Sequence, residues 1–239
     1  MRFFASLAVL FWVSLPLAAA SGPTVVVSRA DRDLLMVVGQ SQVARAEALL
    51  KAGANVNTVH PPWQLTPLLV ASELDFEMVK LLVARGAEVN VHDRDGVTPL
   101  MRAITLRDLR MVQLLLDARA PVNVTDNRGH TALTHAILRS DADILKLLIA
   151  RGAKTDVVTA MGTTPWSIAQ RMREAALIQP ERLHEKPHVH VPGQVGHAMR
   201  SKAESLVQTQ AVLDLLVEAQ VQQRPQQAVA FDAMQYHRH

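Results

Sequence analysis

The sequence predicts an all-α repeat solenoid, a helix–turn–helix stack with short β-turn fingers. Three markers locked to one period of about 33 residues predict it. Thr-(Pro/Ala)-Leu recurs as Thr66-Pro67-Leu68, Thr98-Pro99-Leu100 and Thr131-Ala132-Leu133, with Thr164-Pro165-Trp166 following. Only the first of these intervals falls short of the period, by a single position. Gly53-Ala54, Gly86-Ala87, Arg119-Ala120 and Gly152-Ala153 run in phase, each one period apart. So do Val56-Asn57, Val89-Asn90, Val122-Asn123 and Thr155-Asp156.

Each element of the unit has a physical reason. Thr caps a helix through its hydroxyl, and Pro suits the first helical position, where its missing N–H is unpaired anyway. A short first helix follows, such as Pro99 to Leu106. A second helix carries apolar residues at helical spacing: Val79, Leu82 and Val83; Val112, Leu115 and Leu116; Ile144, Leu147 and Leu148. Gly then supplies the left-handed residue that stops the helix. Arg119 stands at that position in one unit, where a side chain is strained. A polar turn, Asp93-Arg94-Asp95-Gly96 or Asp126-Asn127-Arg128-Gly129, leads to the next Thr. One unit cannot bury its apolar face alone, but stacked units can.

With these motifs the chain resembles the ankyrin-repeat family over roughly residues 30–177, and again near 203–220. The resemblance implies an ankyrin-type stack and a non-enzymatic protein-binding scaffold that needs no cofactor. The His that the family places after Thr-Pro-Leu is replaced by Leu69, Met101 and Thr134, so the family's buried hydrogen-bond link between repeats does not carry over. Residues 21–57 read as an N-terminal capping unit without Thr-Pro-Leu, and 58–157 as three repeats. Pro61-Pro62-Trp63 replaces the Asp-x-x-Gly tip in the first of them. A C-terminal unit spans 158–220. In it Val212-Leu213-Asp214-Leu215-Leu216 follows Ile144-Leu145-Lys146-Leu147-Leu148 by just over two periods, where one would be regular. Residues 179–199, with Pro180, Pro187, Pro192, Gly193 and Gly196, are read as an inserted Pro/His-rich loop. Helix is expected to resume near Ser201, and 221–239 to be a disordered tail.

Composition narrows the function. The chain has 239 residues, 49% of them apolar, enough for a packed core. Its net charge of +3, from 25 Lys and Arg against 22 Asp and Glu, is too small for a nucleic-acid binder. With no cysteine there is no disulfide framework, thiol catalysis or thiolate metal site. Arg2, an apolar stretch from Phe3 to Leu17, and Ala18-Ala19-Ala20 follow the order of a secretory signal peptide over residues 1–20. A periplasmic or secreted bacterial protein is expected, with no membrane association once that segment is cleaved.

His184-Glu185-Lys186-Pro187-His188 fits H-E-x-x-H, but Pro187 would break the helix that zinc-protease chemistry requires. His184, His188, His190 and His197 remain weak metal candidates. A metal-binding or hydrolytic protein using that loop is the alternative reading. Asp141 and Asp143 flank a helix start and are read as structural. Asn123-Val124-Thr125 fits a glycosylation sequon, but the residues sit on the repeat's own Val-Asn position.

The resemblance places partner binding on the turn tips and the exposed face of the first helices. By repeat position these are Trp63, Leu65, Glu73 and Leu74; Arg94, Asp95, Val97, Thr105 and Leu106; Asn127, Arg128, His130, Leu138 and Arg139; and Met161 and Thr163. Arg94, Arg128 and Arg139 are expected to form a basic strip, with Arg94 and Arg128 at equivalent tip positions. The expected partner is another protein, held by a monomer. An accessory role, holding or protecting an exported enzyme, is one version of this reading.

Overall fold

A computed structural model describes residues 28–60, 64–178 and 206–221. Within them the helices pair as the period requires. They are α1 (Arg29–Gly39) with α2 (Val43–Lys51), α3 (Pro67–Ala71) with α4 (Phe76–Ala84), and α5 (Pro99–Leu106) with α6 (Leu109–Asp117). Next come α7 (Ala132–Leu138) with α8 (Ala142–Ala150), then α9 (Pro165–Ile178) stacked on α7, and a further helix, α10, over 206–221. First helices stack on first helices and second on second, so one core runs the length of the stack. The expected signal segment 1–20, the tip residues Pro61 to Trp63, the insert 179–199 and the tail 222–239 lie outside the described residues.

The caps are built as the sequence implies. Thr66, Thr98 and Thr131 hydroxyls accept the N–H of Leu69, Met101 and Thr134 at 3.3, 3.3 and 3.4 Å. Asp75, Asp108 and Asp141 cap the second helices by accepting Glu77, Met111 and Ile144 N–H. The atypical first unit uses Ser28, whose hydroxyl accepts Asp31 N–H at 3.1 Å. At the second-helix ends Gly53, Gly86 and Gly152 have φ of 95°, 83° and 83°, and Arg119 takes the same turn at 64°.

Val79, Leu82, Val112, Leu115, Leu116, Ile144 and Leu148 are buried, while Val83 and Leu147 are half-buried and pack against the core. Leu69 and Met101 fill the position after Leu68 and Leu100 as buried apolar side chains. Thr134, at the equivalent place, turns its hydroxyl back to Thr131 O at 2.8 Å. The links between units lie elsewhere. Asn57 accepts Glu88 N–H at 2.8 Å, and Asn123 accepts Lys154 N–H at 2.9 Å. Ion pairs Arg85–Glu47 at 2.7 Å and Arg151–Asp117 at 2.9 Å join second helices or their ends. The Arg110 guanidinium lies over the Phe76 ring, 4.8 Å from its centroid.

The fingers are turns closed by one backbone bond. Among the described residues there is no strand, only isolated bridges at His60–Leu65 and Thr125–Thr131. No helix among them is long and apolar enough to cross a membrane. The short interval from Thr66 to Thr98 now has a cause. The finger before Thr66 closes from His60 N–H to Leu65 O, whereas the next closes from Asp93 N–H to Val97 O. The extra position in the first finger moves Thr66 towards its successor. Gln64 takes the glycine position of this longer finger at φ 52°.

Candidate functional site

The tips form a ladder. In each of two turns a buried aspartate organises the backbone: Asp93 Oδ1 accepts the N–H of Asp95 and Val97, both at 2.9 Å. Asp126 Oδ1 accepts Arg128 and His130 N–H at 2.9 and 2.8 Å. In the next turn Thr159 substitutes, its hydroxyl accepting Thr163 N–H at 3.2 Å. Successive tips are then bonded to one another, Asn127 N–H to Asp95 O at 2.9 Å and Ala160 N–H to Arg128 O at 3.2 Å. Asn127 Nδ2 adds a bond to Arg94 O at 2.8 Å.

This register corrects one expectation. Asp93 and Asp126 make the same amide bonds in successive turns, which makes them equivalent. Arg94 is therefore equivalent to Asn127, and Arg128 to Asp95 and Met161. The two arginines are on adjacent tips but out of step by one position in the turn.

Beside the tips runs the first-helix face, four, seven and eight positions after each capping Thr. Its fourth position is Val70, Arg102, His135 and Ile168 in turn. Arg102 lies between Glu73 of the preceding unit and Asp93 of its own tip, and is ion-paired to both. Burial pushes its guanidinium down to about 10, so it remains charged at neutral pH. Its Nε is buried with no hydrogen-bond partner among the described residues, so the two carboxylates carry the whole compensation for burying the charge. At the equivalent place His135 Nε2 lies 3.2 Å from Asp126 Oδ2. Burial pushes this imidazole down, against the pull of Asp126, and favours its neutral form.

The family model described as ankyrin repeats (3 copies) matches residues 34–126 and 107–179, more than half of the chain. The chain belongs to the ankyrin-repeat family. A search of curated proteins gave no match. Ankyrin repeats are generally protein–protein interaction modules, and the family is typically non-enzymatic.

The ankyrin stack distributes the expected binding residues unevenly. Arg94, Asp95, Asn127, Arg128, Leu138 and Arg139 are exposed, and Met161 is 84% exposed at the summit of its tip. Leu74 is also exposed. Others serve the fold first. Leu65 is half-buried against the core, Glu73 is tied to Arg102, and the Thr105 hydroxyl donates to Met101 O at 2.9 Å. Leu106, Val97 and Thr163 are half-buried. His130 leans over Asp126, its Nδ1 3.6 Å from Oδ2. Trp63 and the candidates His184, His188, His190 and His197 lie outside the described residues.

Arg102 and His135 were not among the residues read from the sequence, yet a signal existed. Where the tip carries Asp93 or Asp126, the fourth position is Arg or His; where it carries His60 or Thr159, that position is Val70 or Ile168. The polar residue is present only where an acid must be answered. A second pair repeats this logic at the loop between helices: Arg107 Nε donates to Asp141 Oδ2 of the following unit at 2.9 Å.

Proposed function

We propose that the chain is an exported, non-enzymatic scaffold that holds another protein against its tips and first-helix face. The observation that supports this most is the tip ladder. Bonds from Asn127 to Asp95 and from Ala160 to Arg128 fix the backbone under Arg128 and Met161, so these exposed side chains lose only their own rotamer freedom on docking. Most acids on the same face are internally committed, Glu73 and Asp93 to Arg102 and Asp126 to its turn, while Asp95 offsets its neighbour Arg94. The exposed charge left beside Leu138 is weighted towards Arg128 and Arg139. A partner presenting acidic groups around an apolar contact fits that surface. Export rests on the order of residues 1–20, and an accessory role beside an exported enzyme extends the same reading.

The test is capture of a partner from the protein's own compartment. A double change of Arg128→Ala and Met161→Ala should lose the partner that the wild-type chain retains, with an unchanged circular-dichroism melt. Retention of the same partner by a folded double variant would move the interface off the tips. Export is checked separately, by mass spectrometry of the native protein. Cleavage near Ala20-Ser21 is expected, and an intact Met1 to Ala20 segment would rule it out.

A further inference from the structure

The corner between the fourth unit's tip and its first helix brings two imidazoles and one carboxylate together. His130 lies on the tip, His135 on α7, and Asp126 at the base of the turn. One ligand atom from each falls within 4.8 Å of the other two. Asp126 divides its work between its oxygens. Oδ1 is held by the N–H of Arg128 and His130, which fixes the carboxylate. Oδ2 faces both rings, 3.2 Å from His135 Nε2 and 3.6 Å from His130 Nδ1.

The 3.6 Å separation of His130 Nδ1 from that oxygen is too long for a hydrogen bond. The rings stand edge to face at 89°, with centroids 5.8 Å apart, so they converge from two directions. Zinc bound by imidazole and carboxylate at about 2.0–2.2 Å in a tetrahedron sets its ligands about 3.3 Å apart. The two separations from Asp126 Oδ2 bracket that value, and the two ring nitrogens lie within 4.8 Å of each other, so closing on an ion draws the rings together. The preceding unit shows how the corner is otherwise filled. There Val97 replaces His130, and the Arg102 cation replaces His135 against Asp93. In the fourth unit no fixed cation from that position faces Oδ2, and nitrogen lone pairs can take its place. Asp126 is buried while His130 and His135 are partly open, which leaves a solvent side for further ligands.

We propose that Asp126, His130 and His135 form a binding site for a divalent transition-metal ion of the zinc class. Asp126 Oδ2, His130 Nδ1 and His135 Nε2 are its protein ligands, and water completes the shell. Borderline N/O donors of this kind select zinc, cobalt, nickel or copper over magnesium and calcium. The site is distinct from the histidines of 184–197 and links a tip to its own first helix.

The test uses the full chain stripped by chelator and titrated with zinc by calorimetry, and with cobalt by visible absorption. Two variants borrow the preceding unit's residues, His130→Val and His135→Arg, so the repeat retains side chains it already accommodates. A third replaces His184, His188, His190 and His197 with Gln. One zinc per chain is expected, at least tenfold weaker in each of the first two variants and unchanged in the third. No binding by the wild-type chain would overturn the proposal. So would unchanged affinity in both His130→Val and His135→Arg, or loss in the loop variant. Should a variant fail to fold, histidine ring resonances of the wild-type chain decide: His130 and His135 must shift together at one equivalent of zinc. Shifts confined to other histidines would also overturn the site.

Discussion

The third and fourth units have one backbone and two different electrostatic cores. Their tips make the same amide bonds and their first helices the same caps, one period apart. In the third, Asp93 is answered by the permanent charge of Arg102, which also reaches back to Glu73. In the fourth, Asp126 is answered by His135, which burial biases towards its neutral form. The repeat therefore specifies where an acid sits and that it must be satisfied, and leaves open how. An arginine ties one unit to the previous one, whereas a histidine keeps the interaction inside its own unit.

The largest expected effect comes from breaking the acids. Asp93→Ala removes the oxygen that accepts two backbone amides and leaves Arg102 with one fewer partner for its partly buried charge. A loss of about 3 kcal/mol is expected. Asp126→Ala likewise removes the acceptor of two amides but leaves a largely neutral imidazole, so about 2 kcal/mol is expected. Asp93→Asn and Asp126→Asn keep an acceptor oxygen and should preserve the order. Urea denaturation measures all four. An equal or larger loss at Asp126 would mean that the arginine does not distinguish the two units.

A second contrast sets tips against helix ends. Gly129 has φ 77°, and a Cβ there would stand 2.5 Å from Ala160 N, the amide that carries the tip-to-tip bond. Gly152 has φ 83°, with nothing within 4 Å of such a Cβ. Gly152→Ala should cost about 1 kcal/mol for the left-handed backbone alone. Gly129→Ala adds an overlap that only backbone movement can relieve, for about 2–3 kcal/mol in total. Equal thermal shifts would show that the ladder yields without loss.

The period, the caps, the paired helices and most of the core were legible because each is a local rule repeated in phase. Thr before Pro caps a helix in any context. What was not legible depended on contacts between units. The unit from 93 to 120 and its neighbour look alike in sequence, but whether Glu73 is open to a partner depends on Arg102 of the next unit. The slip between Arg94 and Arg128 was legible, because the period sets Arg94 against Asn127, and the amide bonds of Asp93 and Asp126 keep that register. The histidine corner is masked in the sequence by the denser run His184 to His197. His130 and His135 are ordinary in the sequence and meet only because a turn folds back on its helix.

The third contrast concerns the links between units. Asn123 Oδ1 accepts Lys154 N–H at 2.9 Å and its Nδ2 donates to Gly152 O at 3.0 Å. Asn90 is one period earlier, but the residue that should donate to it is Pro121, which has no N–H. Asn123→Ala should cost about 1 kcal/mol, and Asn90→Ala under about 0.5 kcal/mol. A larger loss at Asn90 would show that its amide has found another partner.

The smallest effect lies at the same joint. Arg119 holds φ 64° where the corresponding glycines hold 83–95°. Its turn closes with the same bond, Ala120 N–H to Leu115 O at 2.9 Å, beside Ala87 to Leu82 at 3.0 Å. The backbone is thus a glycine turn carrying a side chain, a strain of about 1 kcal/mol. Arg119→Gly removes that strain but also frees the unfolded chain, which takes back about 0.5 kcal/mol. Arg119 is exposed, so little packing is lost. The net gain should be about 0.5 kcal/mol, a rise of about 1–2 °C in melting temperature for a chain of this size. The same substitution tested beside Gly152→Ala gives opposite signs from one cause. A melting temperature lowered by Arg119→Gly would assign Arg119 a stabilising contact worth more than the strain it carries.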